Sequence, residues 1–133
     1  MIKKVDHVGL VVQSTDETRA LLSKLFGFEA EESRTEVEAG FKSTHLSKGG
    51  VTLELLEPVG SQGMIQRFLE KRGGGLHHIS IQVDDLVAEM QRLKTLGVQF
   101  SSDEPAQVSD TKVVFIHPRS TNGLLIELIQ RTQ

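Results

Sequence analysis

The sequence predicts an α+β fold built from two paired βαβββ modules that form a curved mixed sheet around a cavity, with helices on the outer face. Two internal echoes carry this reading. His77-His78-Ile79-Ser80-Ile81-Gln82-Val83-Asp84 repeats Asp6-His7-Val8-Gly9-Leu10-Val11-Val12-Gln13 after 71 residues, and Leu124-Leu125-Ile126-Glu127-Leu128-Ile129 repeats Val51-Thr52-Leu53-Glu54-Leu55-Leu56 after 73. Each half therefore opens with a histidine on an apolar strand and closes with a glutamate inside another, at spans of 47 and 49 residues. The 133 residues read as one domain, with module 1 over 1–58, a connector over 59–75 and module 2 over 76–133.

The elements follow in order. Residues 5–13 alternate as a strand, Val8, Leu10 and Val12 on one side and His7, Gly9 and Val11 on the other. Ser14 and Glu17 have capping-box spacing, and Leu21, Leu22 and Leu25 recur at helical intervals before Gly27. Strands are expected near 28–36, 41–47 and 51–57, with turns at Gly40 and Gly49-Gly50. The connector holds a short helix with Ile65, Phe68 and Leu69 on one side, ended by Gly73-Gly74-Gly75. The pattern then restarts with a strand over 76–84 and a helix capped by Asp84 or Asp85. The inner face of that helix is Leu86, Met90 and Leu93, and Gly97 is its C′ residue. Strands near 98–101, 112–117 and 123–130 complete the second module, while 102–111 is polar and turn-rich. No low-complexity segment is present, and no unstructured tail beyond the last three residues is expected.

Composition narrows the function. A net charge of −3 with mixed signs leaves no basic footprint for nucleic acid and no polybasic membrane patch. Without an 18-residue apolar run or a signal-peptide pattern, the expected location is the cytoplasm. Cysteine, tyrosine and tryptophan are absent, so His, Glu, Asp and Lys are the main acid–base side chains.

Strand parity selects among them. His78, Ser80 and Gln82 lie opposite Ile79, Ile81 and Val83; Glu54 lies opposite Leu53 and Leu55, and Glu127 opposite Ile126 and Leu128. If helices cover the apolar side, His7, Glu54, His78 and Glu127 all fall on the concave side. Burying two unpaired carboxylates at equivalent positions would cost several kcal/mol each or raise their pKa values. A metal-binding cavity accounts for both. The N2O2 set suits Co, Mn, Ni, Fe or Zn with open coordination positions. His77 shares parity with Ile79 and points away; His45 could face the cavity, and His117 could contact substrate beside Pro118. Lys71, Arg72, Lys112 and Arg119 read as solvated charges.

These residues resemble the vicinal oxygen chelate superfamily, and within it the methylmalonyl-CoA epimerase group. The resemblance runs over nearly the whole chain. It is densest in Asp6-His7-Val8-Gly9, Leu53-Glu54-Leu55-Leu56-Glu57-Pro58, Phe68-Leu69-Glu70-Lys71-Arg72-Gly73, Gly75-Leu76-His77-His78-Ile79, Phe115-Ile116-His117-Pro118-Arg119-Ser120 and Gly123-Leu124-Leu125-Ile126-Glu127-Leu128. It implies the ligands His7, Glu54, His78 and Glu127, a divalent ion with Co2+ favoured and Mn2+, Ni2+ or Zn2+ as alternatives, an acyl-CoA thioester substrate and a homodimer. It implies epimerisation by proton abstraction beside the thioester, through an enolate stabilised by the ion, with one or both of Glu127 and Glu54 acting as bases as well as ligands. Where some members carry a further glutamate after the Gly40 turn, the aligned residue here is Ser43. The same four ligands are similar to those of lactoylglutathione lyase, the alternative enzyme; a non-catalytic binder is the other.

Overall fold

The fold was obtained as a computed structural model that describes residues 1–131; Thr132 and Gln133, in the expected tail, lie outside the described residues. The chain forms two compact units, residues 7–77 and residues 1–6 together with 78 onward. Each mixes parallel and antiparallel pairing, as the predicted class requires.

The unit of residues 7–77 holds the second half of β1 (Ile2–Val11), α1 (Thr15–Phe26), β2 (Glu29–Ala30), β3 (Arg34–Glu36), β4 (Phe41–Lys48), β5 (Val51–Pro58) and α2 (Met64–Arg72). Its strand order is β2-β4-β5-β1, with β3 also on β4 and only β1 and β5 parallel. Ser14 caps α1 by accepting from the Glu17 N–H, and Asp16 and Glu17 suit the positive end of its dipole. The β4–β5 hairpin turns on Gly49 and Gly50 at φ of 60° and 84°, the pair of positive angles a type I′ turn demands.

Two layers flank this sheet. Glu57 accepts from the Thr15 N–H at 2.7 Å and Asp16 pairs with Lys42 at 3.5 Å, which seats α1 on the side where Leu46 and Leu55 are fully buried. Each of those leucines contributes roughly 1.5–3 kcal/mol by burial. Of the leucines at helical spacing, Leu22 is half-buried, while Leu21 and Leu25 are exposed. The connector helix α2 packs on the other side: Ile65, with Phe68 and Leu69, closes over Val11 and Leu56. One helix of this unit thus takes the outer face and the second lies on the face that carries Glu54.

Gly74 sits beneath α2 at φ +104°, where an added Cβ would lie 2.9 Å from the Val11 carbonyl oxygen. Gly74→Ala is expected to cost about 1–3 kcal/mol in urea unfolding. Gly73→Ala should cost less, because nothing lies within 4 Å there. Equal losses would refute the close approach as the reason for this glycine.

The second unit contains β6 (Gly75–Val83, counted here from His78), α3 (Leu86–Thr95), β7 (Ala106–Val108), β8 (Thr111–Ile116) and β9 (Ile126–Arg131), in the order β6-β9-β8-β7. β6 and β9 are parallel and the other pairs antiparallel. Asp85 caps α3 from the Ala88 N–H, and Leu86, Met90 and Leu93 pack on Val83, Val114, Ile116 and Leu128, as the spacing predicts. The first six residues join this unit through Asp6, whose carboxylate takes two 2.8 Å bonds from Arg131.

Several boundaries moved. Residues 28–36 split into β2 and β3, and 98–101 holds only the isolated bridge of Phe100 with Ile116. The polar, turn-rich stretch 102–111 contains β7. β9 starts at Ile126 rather than 123, because Pro118–Thr121 forms a 3-10 turn. Pro118 presets its first φ and His117 Nδ1 accepts from the Arg119 N–H at 3.1 Å. His117 therefore caps a turn. Arg131, the first residue of the expected tail, closes β9.

Candidate active site

In the unit of residues 7–77, β1 and β5 run in register, Gly9 beside Glu54 and Val11 beside Leu56. Across the hairpin, His45 stands opposite Glu54 and Ser43 opposite Leu56. Paired residues share a sheet face, so His7, Gly9, Val11, Ser43, His45, Glu54 and Leu56 lie on one side. That is the face roofed at one end by α2. Glu54 Oε1 is 3.3 Å from His7 Nε2 and its Oε2 is 3.4 Å from His45 Nε2. Burial alone would raise the Glu54 pKa, but the contacts from His45 and His7 outweigh it and hold the carboxyl well below its usual range. Glu54 is thus an anion between two imidazoles, with His7 buried and His45 partly exposed.

His77 packs its ring edge-on to Phe68 of α2, with centroids 4.9 Å apart. Burial pushes its pKa down, opposed by the charge of Glu54. Ser43 is buried and brings no carboxylate to this face; Thr44, of opposite parity, contacts the Ser33 hydroxyl at 2.6 Å. An open groove of about 430 Å³ lies beside the Gly40 turn, lined by residues of 37–40 and 59–63 with Glu38 as its one acidic side chain.

In the other unit, Ser80 pairs with Glu127 across the parallel β6–β9 ladder, and Phe115 of β8 stands opposite Glu127. His78, Ser80, Gln82, Phe115, Glu127 and Ile129 therefore share the face turned from α3. The Ser80 hydroxyl, fully buried, donates to Glu127 Oε1 at 2.7 Å. The His78 ring meets Phe115 edge-on at 6.0 Å. Both His78 and Glu127 are buried.

The unit of residues 7–77 thus offers two histidines and one carboxylate on a single sheet face and the other unit one of each, chemistry that fits a divalent ion with oxygen and nitrogen ligands. The repeat, read with strand parity, singled out His7, Glu54, His78 and Glu127 as candidates. It did not single out Ser80, although its place one strand over from Glu127 in the repeat is the signal that would have. Lys71, Arg72, Lys112 and Arg119 are exposed; the Arg72 guanidinium stacks 5.8 Å above the Phe68 ring. Among the described residues, no helix is long and apolar enough to cross a membrane.

Residues 6–115 match the sequence model of the Glyoxalase/Bleomycin resistance protein/Dioxygenase superfamily, and the chain belongs to that family. The resemblance read from its motifs is thereby confirmed. The chain is 35% identical to the ethylmalonyl-CoA/methylmalonyl-CoA epimerase of Cereibacter sphaeroides, over 98% of this chain and 99% of that one. It is 34% identical to the uncharacterised protein YqjC of Bacillus subtilis, over 97% and 93%. A solved structure of a variant Streptomyces coelicolor methylmalonyl-CoA epimerase, in complex with 2-nitronate-propionyl-CoA, matches with a TM-score of 0.89 at 28% identity, covering 100% of both chains.

Proposed function

We propose that the protein is a metal-dependent epimerase of methylmalonyl-CoA, in which His7 and Glu54 of one unit and His78 and Glu127 of the other hold one divalent ion. The observation that carries the reading is the matched His–Glu pair on the polar face of each unit. Its support is the near full-length similarity to proteins named as epimerases. A divalent ion bound there supplies Lewis acidity toward the oxygens of a thioester and carboxylate, with Co2+ the first choice and Mn2+, Ni2+ or Zn2+ the alternatives.

The chain's own groups supply the rest. Epimerisation takes a proton from the carbon beside the thioester carbonyl and returns one to the opposite face, so it needs a base on each side. Glu127, held by the Ser80 hydroxyl, takes the first role in this reading and Glu54 the second. The protein is read as a cytoplasmic homodimer.

Proton NMR of methylmalonyl-CoA in D2O, with Co2+-loaded protein against a metal-stripped control, tests this. Metal-dependent exchange at the α-carbon with interconversion of epimers is the expected result. No exchange, but turnover of the methylglyoxal–glutathione hemithioacetal, would reassign the protein as a lactoylglutathione lyase. Inactivity on both would leave a non-catalytic binder.

A further inference from the structure

The two glutamates occupy equivalent positions in the repeat but meet different neighbours. On its parallel neighbour strand Glu54 has Gly9 and Glu127 has Ser80; on its antiparallel neighbour Glu54 has His45 and Glu127 has Phe115. Each carboxylate therefore receives one polar side chain at a register position, from opposite sides: Ser80 Oγ at 2.7 Å from Glu127 Oε1, and His45 Nε2 at 3.4 Å from Glu54 Oε2. Where the repeat loses the serine hydroxyl it gains an imidazole, and where it keeps the hydroxyl the imidazole position is a phenyl ring.

We infer that His45 is the positioning residue for Glu54, doing for that carboxylate what Ser80 does for Glu127. His7, itself a proposed ligand, lies beside Oε1, while His45 reaches the other oxygen, Oε2. An imidazole N–H on Nε2 would donate to Oε2 and leave Oε1 as the oxygen available to an ion. Outer partners of this kind orient a metal-ligating carboxylate and commonly govern metal affinity. His45 is partly exposed on β4, so it can be exchanged without opening a cavity in the core.

This inference rests on the metal reading above, and the test separates the two. Co2+ affinity is measured by competition with a chelator, alongside the visible spectrum of the bound ion, for wild type, His45→Phe and His45→Gln. His45→Phe copies the Phe115 arrangement and removes the donor; a roughly 10- to 100-fold loss of affinity is expected. His45→Gln returns an N–H donor and should recover most of that loss with the wild-type absorption bands. Wild-type affinity in His45→Phe would overturn the role of His45 and leave the metal reading standing. Loss of Co2+ binding in both variants, with shifted bands in whatever binds, would make His45 a ligand and overturn the positioning role. Absence of Co2+ binding by wild type would defeat the metal reading itself. Melting of the metal-free proteins controls for folding, and His45→Ala replaces the phenylalanine variant should that one not fold.

Discussion

His78→Ala is expected to abolish both metal binding and epimerisation while leaving the fold in place. In the proposed set each unit gives one imidazole, and an alanine offers the ion nothing. His78 is buried with its ring against Phe115, so truncation leaves a gap on the face turned from α3. The hydrophobic cluster on the α3 side does not include this position, and the stability cost should stay at about 1–3 kcal/mol. Metal analysis after gel filtration, α-proton exchange in D2O and far-UV circular dichroism together check it. Wild-type exchange in this variant would end the metal hypothesis.

Glu127→Gln should lower epimerisation by about 10²–10⁴-fold, the range that a positioned base commands. The amide keeps the shape of the side chain, and its carbonyl oxygen can still accept from the Ser80 hydroxyl. What disappears is the negative charge and the basicity. Because an amide oxygen remains a possible ligand, this variant should retain more Co2+ than His78→Ala while losing most of its α-proton exchange. The two variants thus separate holding the ion from moving the proton. An exchange rate within a few-fold of wild type, with the metal retained, would remove Glu127 from the role of base.

The four candidate donors were legible because the repeat carries one His–Glu pair in each half and strand parity put each pair on the polar side of its sheet. The core of α3 was legible from helical spacing: Leu86, Met90 and Leu93 mark one face, and Asp84-Asp85 mark its start, Asp85 being the residue that caps it. The side taken by α2 was not. Ile65, Phe68 and Leu69 announce that this helix needs an apolar partner, and Val11 and Leu56 supply it, but periodicity does not say which face of a sheet offers the partner. The contact of His45 with Glu54 was closer to reach than parity suggested. Lys48 pairs with Val51 across the two-glycine turn, and counting three residues back along β4 and forward along β5 sets His45 opposite Glu54. The strand expected at 98–101 failed because its register gave only one bridge, at Phe100. The 3-10 turn after His117 depends on a side-chain cap that no hydrophobic pattern records.

The pairing of Asp6 with Arg131 spans 125 residues of chain. Residues 1–6 belong with residues 78 onward, whereas residues 7–77 form their unit from one unbroken stretch. During synthesis, which proceeds from the N-terminus, the stretch 7–77 can collapse as soon as it leaves the ribosome. The first six residues must wait, since the arginine that anchors Asp6 is made 125 residues after it. Loop closure over so long a span is slow relative to local pairing. The unit carrying Glu127 should therefore be the last to acquire protection from hydrogen exchange in refolding, and the first half of β1 should be the last part of the chain to find its place.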